Sequence, residues 1–268
     1  FAYNEESALP GVSFRAVNEA YPESTGAVAQ KKESLYILGG DADVDAFVAQ
    51  TRSNINDQRA TQVKMKTKAA VWKFQDAFFN GDTSVNPKEF DGLRRRLTGA
   101  QVIEAGGVGP VSGGNDFFDA LDALTAQVRG LTGGNGALFM NHALIAKVKS
   151  AFRRLGNGEM LAEDIAGKRV PMWNGIPLLD PGERADGTDI LPLTAGTDGP
   201  PVGEIYAVRF GESEADAGVT GLTNGGIQVK DLGEIGEKPV YRTRIEFYCG
   251  MALFGGRAAA RLTNVANS

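Results

Sequence analysis

The period of the hydrophobic pattern changes along this chain, and the changes divide it into modules. From Val12 to Asn18, VSFRAVN alternates apolar and polar side chains, the period of two that marks a strand. Glu19–Gly26, EAYPESTG, is a turn cluster with Pro22 and Gly26, and Ala27–Leu38 again favours strand through Val28, Leu35, Tyr36 and Ile37. Two strands around a polar turn predict a long hairpin. Its tip, with Glu19, Glu23, Lys31 and Lys32 nearby, is too polar to fold onto a core. Two isolated strands are barely stable in water, so such a hairpin is expected to reach for a neighbour. Residues 1–11 read as a polar arm closed by Pro10-Gly11.

Between Val44 and Asn80 the period lengthens to that of a helix. Val63, Ala70, Phe74, Ala77 and Phe78 recur on one side, and Lys64, Lys68 and Lys73 occupy the rest. Ser53–Asp57, SNIND, is where the run can divide into two helices; the second, Gln58–Phe79, is roughly 30 Å long at 1.5 Å per residue. Asn80-Gly81 is a C-terminal stop. The stretch Phe78–Leu97, FFNGDTSVNPKEFDGLRRRL, has the polar, glycine-containing look of an active-site loop but carries no obvious catalyst. Phe90, Leu93 and Leu97 share a face of a short helix within it.

Residues 101–224 alternate helix and strand. Asn115–Gly130 is an amphipathic helix aligning Phe118, Leu121, Leu124 and Val128, and GALFMN is a strand feeding a second helix that Gly156 stops. Val170–Asp180 and Gly203–Phe210 read as strands, and Pro181–Pro201 as a loop-rich surface excursion. GIQVKDLG and VYRTRIEFYCGMALFGGRAAARLTNV close the chain with long strands. No internal repeat or low-complexity tract is present.

Composition narrows the classes. The chain has 268 residues, enough for a large core in one or two domains, and 23% charged residues, the balance of a folded globular protein. No run of 18 apolar residues exists that would span a membrane as a helix, and FAYNEESALPG lacks the pattern of a signal peptide. The lone Cys249 excludes an intrachain disulfide and fits a reducing compartment. A net charge of −5 argues against a dedicated nucleic-acid binder.

Candidate chemistry is sparse. Asp41, Asp43 and Asp45 invite a calcium reading, but Ala46 and Arg52 stand where an EF-hand loop needs Gly and Glu; the competing reading is helix capping. Arg94-Arg95-Arg96 suggests DNA, against a solvated face or pairing with a neighbouring subunit. The only histidine, His142, would have to serve any Ser-His-Asp, Cys-His or histidine-zinc site, and it reads as a first-turn helix residue. No G-x-S-x-G elbow occurs. Cys249 lies in an apolar strand and reads as a small hydrophobe. Gly107-x-Gly109 misplaces its third glycine, and Gly167-Lys168 is followed by Arg169 rather than Ser or Thr, so nucleotide binding is not supported. Acid–base catalysis by carboxylates stays open but without a pairing to support it. No cofactor, metal or enzymatic activity is expected.

The order of modules resembles the major capsid protein of tailed bacteriophages, the Hong Kong 97-type shell fold that encapsulins share. LPGVSFRAVNEAYPESTG with KKESLYILGGDADVD resembles the extended loop and its return strand, AAVWKFQDAFFNGD the end of the spine helix, and NPKEFDGL the segment after it. GALFMNHALIAKVKSAFRRL with VPMWNGIPLLD resembles the strand-helix-strand core of the axial domain. The resemblance implies an α+β chain with an N-terminal arm (1–11), an extended loop (12–40), a peripheral domain with the spine helix (41–100), an axial domain (101–224) and terminal strands completing both (225–268). It makes Phe78–Leu97 a joint. It further implies self-assembly into hexamers and pentamers of an icosahedral shell in the bacterial host cytoplasm, enclosing double-stranded DNA without tight binding. Portal, decoration and scaffolding proteins are the implied partners. Glu19, Tyr21, Glu23, Lys31, Lys32, Arg94, Arg95 and Arg96 are the candidate intersubunit contacts. Some relatives cross-link through a lysine of the extended loop, where Lys31 and Lys32 lie, and some lose an N-terminal segment to a protease, compatible with Phe1. The alternatives are an encapsulin-type compartment and a soluble α/β enzyme using carboxylates.

Overall fold

A computed structural model describes residues 1–52, 57–154, 161–162, 170–196, 199–212, 216, 218–236 and 238–268. Its strands and helices run β1 (Ala2–Ala8), β2 (Ala27–Lys32), β3 (Tyr36–Asp45), α1 (Ala46–Arg52), α2 (Gln58–Asn80), α3 (Leu93–Arg96), β4 (Val102–Glu104), α4 (Asn115–Gln127), β5 (Gly136–Met140), α5 (His142–Arg154), β6 (Leu161–Ala162), β7 (Val170–Trp173), β8 (Ile176–Leu179), β9 (Val202–Arg209), β10 (Val219–Glu234), β11 (Val240–Leu253) and β12 (Ala259–Ala266). Three open sheets result: β1-β2, β10-β11-β3, and the seven-stranded β4-β12-β9-β5-β8-β7-β6.

The central strands β5 and β9 of the seven-stranded sheet are covered on both faces, which explains why they read as nearly continuous apolar runs. Successive side chains on a strand point to opposite faces. Leu138 and Met140 of β5, with Ile205 and Ala207 of β9, pack against Leu121 and Leu124 of α4 and Leu144 and Val148 of α5. Phe139, Tyr206 and Val208 point the other way, onto the end of α2 and the segment that follows it. Val170–Asp180 is two strands rather than one: Asn174 and Gly175 both take positive φ, 48° and 77°, and turn β7 back onto β8. The 181–201 excursion is not wholly at the surface, because Ile190 and Leu191 are buried beneath α2.

The spine helix α2 starts where Asp57 accepts hydrogen bonds from the backbone of Arg59 and Ala60, at 2.9 and 3.3 Å. The expected break at Ser53–Asp57 involves residues 53–56, which lie outside the described residues, but α1 and α2 flank it as separate helices. Gly156, Gly167, Lys168 and Arg169 also lie outside them. Along the three-stranded sheet, Phe74 of α2 meets Phe247 of β11 and Phe90, with ring centroids 5.7 and 5.8 Å apart.

Capping explains only one of the three early aspartates. Asp45 accepts from the backbone of Phe47 at the start of α1, at 2.8 Å. Asp41 and Asp43 lie inside β3, directly opposite Arg244 and Arg242 of β11. Each is gripped by a guanidinium fork, at 2.8 and 3.0 Å for Asp41 and at 2.7 and 2.6 Å for Asp43. These hydrogen bonds hold both carboxyls below the usual aspartate range. A carboxyl that titrates lower in the folded chain contributes stability above its unfolded value, about 4, and loses it as pH falls through the folded value. Acidification from about pH 5 to pH 3 should therefore lower the melting temperature, and Asp41→Asn with Asp43→Asn should flatten that dependence in circular-dichroism melts.

The hairpin is present but is built from different residues than its pattern predicts. β1, within the expected arm, pairs antiparallel with β2, from Ala2 opposite Lys32 to Ala8 opposite Ala27. Val12–Asn18 is not a strand; it belongs to the 9–26 loop. A strand needs a partner for its backbone groups, and Pro10-Gly11 carries the chain off β1 before Val12 can find one. The expected Ala27–Leu38 strand also divides, at Glu33–Leu35, so that β2 stays with the hairpin and β3 joins the three-stranded sheet.

Candidate functional site

Phe78–Leu97 is packed as a joint. Gly81 donates to the Ala77 carbonyl at 2.9 Å and ends α2, while Gly92 donates to the Gly81 carbonyl at 2.8 Å. The two glycines bring backbone against backbone: a Cβ on Gly81 would strike the Phe90 carbonyl, and one on Gly92 would strike the Ala77 carbonyl. This approach seats Phe90, Leu93 and Leu97 in one core with Ala77 and Phe79. Phe79 stacks edge-on with Phe139 and Tyr206, at 5.3 and 5.4 Å, and so joins the spine to the seven-stranded sheet.

The three arginines at the end of the joint are each bonded within the chain. Arg94 reaches Glu204 at 3.0 Å, and Glu204 also accepts from the buried Tyr206 hydroxyl at 2.6 Å. Burial, helped by Glu204, pushes the Tyr206 phenol up to about 12. Arg95 reaches Asp82 at 3.0 Å and Asp91 at 3.1 Å. Arg96 holds Glu33 through both terminal nitrogens, at 2.5 and 2.8 Å, and donates to the Asp91 carbonyl at 2.7 Å. The triplet is thus divided among four carboxylates, Glu204, Asp82, Asp91 and Glu33, rather than displayed as one basic face.

Glu33, which sequence reasoning did not single out, is the anchor of the hairpin. It sits between β2 and β3, its backbone N–H bonds the Phe1 carbonyl at 2.7 Å, and its side chain is clamped by Arg96. Charge-assisted bidentate pairs are among the stronger polar contacts. Removing such a bond costs about 1.5–3 kcal/mol, and here the loss falls on the hairpin base. Glu33→Ala should speed protease cleavage within residues 1–32 by about ten- to a hundred-fold, as local opening becomes easier. Unchanged cleavage would mean that the hairpin is held in some other way.

Beyond this anchor the loop carries large apolar side chains with nothing over them. Val12, Phe14 and Val17 are 96%, 107% and 91% exposed, and Leu9 and Tyr21 are also exposed. The loop has internal order despite this: Gly11 donates to the Ser24 hydroxyl at 2.7 Å, Ala16 to the Glu19 carboxylate at 2.9 Å, and Arg15 lies 5.0 Å over the Tyr21 ring. Glu23 is exposed on the loop, whereas Lys31 and Lys32, though exposed, are not at the tip where the pattern placed them: they end β2 opposite Tyr3 and Ala2, beside Glu33 at the base of the hairpin. Glu19, Tyr21 and Glu23 therefore share the loop, Lys31 and Lys32 lie at its base, and of the three arginines only Arg96 reaches that base, through Glu33. The alternation at Val12–Asn18 was the available signal for the apolar residues, but it does not say which chain their face meets.

The residues considered for catalysis are not brought together. His142 opens α5 with 84% of its side chain exposed, and its Nδ1 is 4.0 Å from Asp180. Cys249 is buried, and desolvation pushes its thiol up to about 11, the direction that suppresses the reactive thiolate. Among the described residues, no three His, Cys, Asp or Glu side chains are grouped to hold a metal ion. An open groove of about 320 Å³ between α2 and the seven-stranded sheet is lined chiefly by Phe74, Phe78, Phe139, Leu179 and Phe210; its lining is aromatic rather than catalytic.

Comparison with known proteins matches this arrangement. The family model for Major capsid protein GP7 matches residues 6–114. No curated protein matches the chain. Among solved structures, the holo-SrpI encapsulin complex from Synechococcus elongatus PCC 7942 superposes with a TM-score of 0.70 at 19% identity, covering 100% of this chain and 83% of that one. The capsid of a native GTA particle gives 0.67 at 14% identity, with 99% and 85% covered. A chain from Mycobacterium phage Bobi gives 0.65 at 14% identity, with 98% and 84% covered. The chain has the Hong Kong 97-type shell fold, and its match to the major capsid protein family runs from the hairpin through the spine to the start of α4.

Proposed function

We propose that this chain is a major capsid protein, the repeating subunit of an icosahedral shell that encloses double-stranded DNA. The observation that carries the reading is the hairpin: a loop with internal order, anchored at its root, that presents Val12, Phe14 and Val17 to solvent. Large apolar side chains left exposed close together on one loop mark an interaction site, and in a shell the natural occupant is an identical neighbour. Subunits joined head to tail close into rings when the rotation closes. Hexamers and pentamers are the rings this fold implies. Each contact can be weak, because many act together at high effective concentration. Glu19, Tyr21 and Glu23 flank the apolar contact, Lys31 and Lys32 stand at the base of the hairpin, and Arg96 braces that base.

In this reading the three-stranded sheet with α2 is the peripheral domain and the seven-stranded sheet the axial domain. The role is structural rather than catalytic. The protein resides in the virion capsid after assembly in the cytoplasm of a bacterial host, with a portal at one vertex. The acidic chain encloses its DNA without gripping it. An encapsulin-type compartment is the second reading, favoured by the 0.70 superposition on the cyanobacterial encapsulin.

Electron microscopy of the native protein, combined with nuclease treatment, separates the readings. Closed shells holding nuclease-resistant double-stranded DNA are expected. Closed shells filled with protein and free of DNA would favour the compartment, and the absence of any shell would contradict both.

A further inference from the structure

The charge of α2 is not that of the chain. In a protein of net charge −5, this helix carries Arg59, Lys64, Lys66, Lys68 and Lys73 and a single acid, Asp76. Three of the five cations face carboxylates around the three-stranded sheet and the joint. Arg59 pairs with Asp231 at 2.6 Å, Lys73 with Glu89 at 3.1 Å, and Lys66 lies over Gly40 within the field of Asp41. Asp76 is taken by Arg184 at 2.9 Å.

Lys64 and Lys68 differ. They lie one turn apart on the side of α2 away from the sheet, both exposed, with no carboxylate partner among the described residues. Like charges four residues apart on a helix repel, so helix stability does not favour placing the two together. Lys68 is held 4.3 Å over the Trp72 ring, which extends the ammonium outward, and Met65 and Val71 are exposed beside it. The result is a pair of exposed cations without a carboxylate partner among the described residues, on an acidic protein.

We infer that this face of α2 lines the inside of the shell and rests against the phosphate backbone of the enclosed DNA. The inference builds on the capsid reading and adds which surface meets the contents. Charge complementarity points to a polyanion as the occupant, and a neighbour's carboxylates are the competing occupant that the assembly arm of the test detects. Two lysines per subunit give weak contact, consistent with a wall that holds DNA without immobilising it. Summed over a lattice, the same contact favours a filled shell.

The test uses the full-length chain before assembly and a 20-base-pair duplex, with binding followed by fluorescence anisotropy across a salt series. Each phosphate neutralised contributes about 0.9 to the slope of log affinity against log salt, so Lys64→Gln with Lys68→Gln should make the slope shallower by about 1.8. Lys88→Gln with Lys149→Gln, an equal charge change elsewhere, should leave the slope as it was. An unchanged slope in the first pair, or an equal loss in the second, overturns the inference. So does an unchanged slope with failed assembly, which would assign the face to a neighbouring subunit. Because the duplex is offered to unassembled chains, a failure of the capsid reading shows as absent shells, whatever the slope.

Discussion

Replacing Val12, Phe14 and Val17 together by serine is expected to leave the subunit folded and to abolish shell formation. None of the three contributes to a core of its own chain, since each is at least nine-tenths exposed. Their loss should leave the melting temperature of the unassembled subunit within about 2 °C, as substitutions away from packed features are usually small. Assembly stands differently. Burying an apolar side chain of this size is worth about 1.5–3 kcal/mol, so losing three weakens each contact by about 5 kcal/mol or more. That is a factor of several thousand per contact, on the order of 10³, repeated around every ring. Light scattering during assembly reads the effect directly, and deletion of Glu19–Gly26 should produce the same separation. Normal assembly of either variant would remove the hairpin from the contact.

Phe79→Ala should produce the opposite pattern, a subunit that fails before assembly is tested. Phe79 is buried in the last turn of α2, and its ring packs edge-on against Phe78, Phe139 and Tyr206. Truncating a phenylalanine in such a core costs about 3–5 kcal/mol, through lost transfer energy and the cavity left behind. In a chain of this size that lowers the melting temperature by about 10 °C. Calorimetry on the unassembled subunit measures it. A shift of only a degree or two would mean that the spine is held on the seven-stranded sheet by something other than this aromatic cluster. Phe79→Leu, which keeps most of the volume, should recover a large part of the loss.

Much of the architecture was legible because its cause is local. The i, i+3, i+4 spacing of Leu121 and Leu124, and of Leu144 and Val148, places α4 and α5 on a core without reference to the rest of the chain. The apolar runs of β5 and β9 announce strands covered on both sides. The end of α2 at Asn80-Gly81 is equally local. What escaped the sequence depends on partners distant in the chain. Asp41 and Asp43 look like capping residues until β11 brings Arg244 and Arg242, about two hundred residues later, into register with them. Glu33 has no motif; only the fold sets it beside Arg96.

The hairpin is the most instructive case. Alternation at Val12–Asn18 is a sound signal for one apolar edge, but a strand in its own sheet and a loop awaiting a neighbour share that pattern. β1 took the pairing instead, because its register with β2 closes without crossing Pro10-Gly11. The arginine triplet shows the converse: a conspicuous run whose members separate to Glu204, Asp82 with Asp91, and Glu33. Meanwhile the less conspicuous Lys64 and Lys68 share one open face.

The most direct test of self-assembly is the sedimentation of native, full-length protein at micromolar concentration. A dominant boundary from closed particles of many tens of subunits or more is expected, and it should vanish when Val12, Phe14 and Val17 become serine. A native protein that sediments only as a monomer or dimer, across concentration and salt, would contradict the shell.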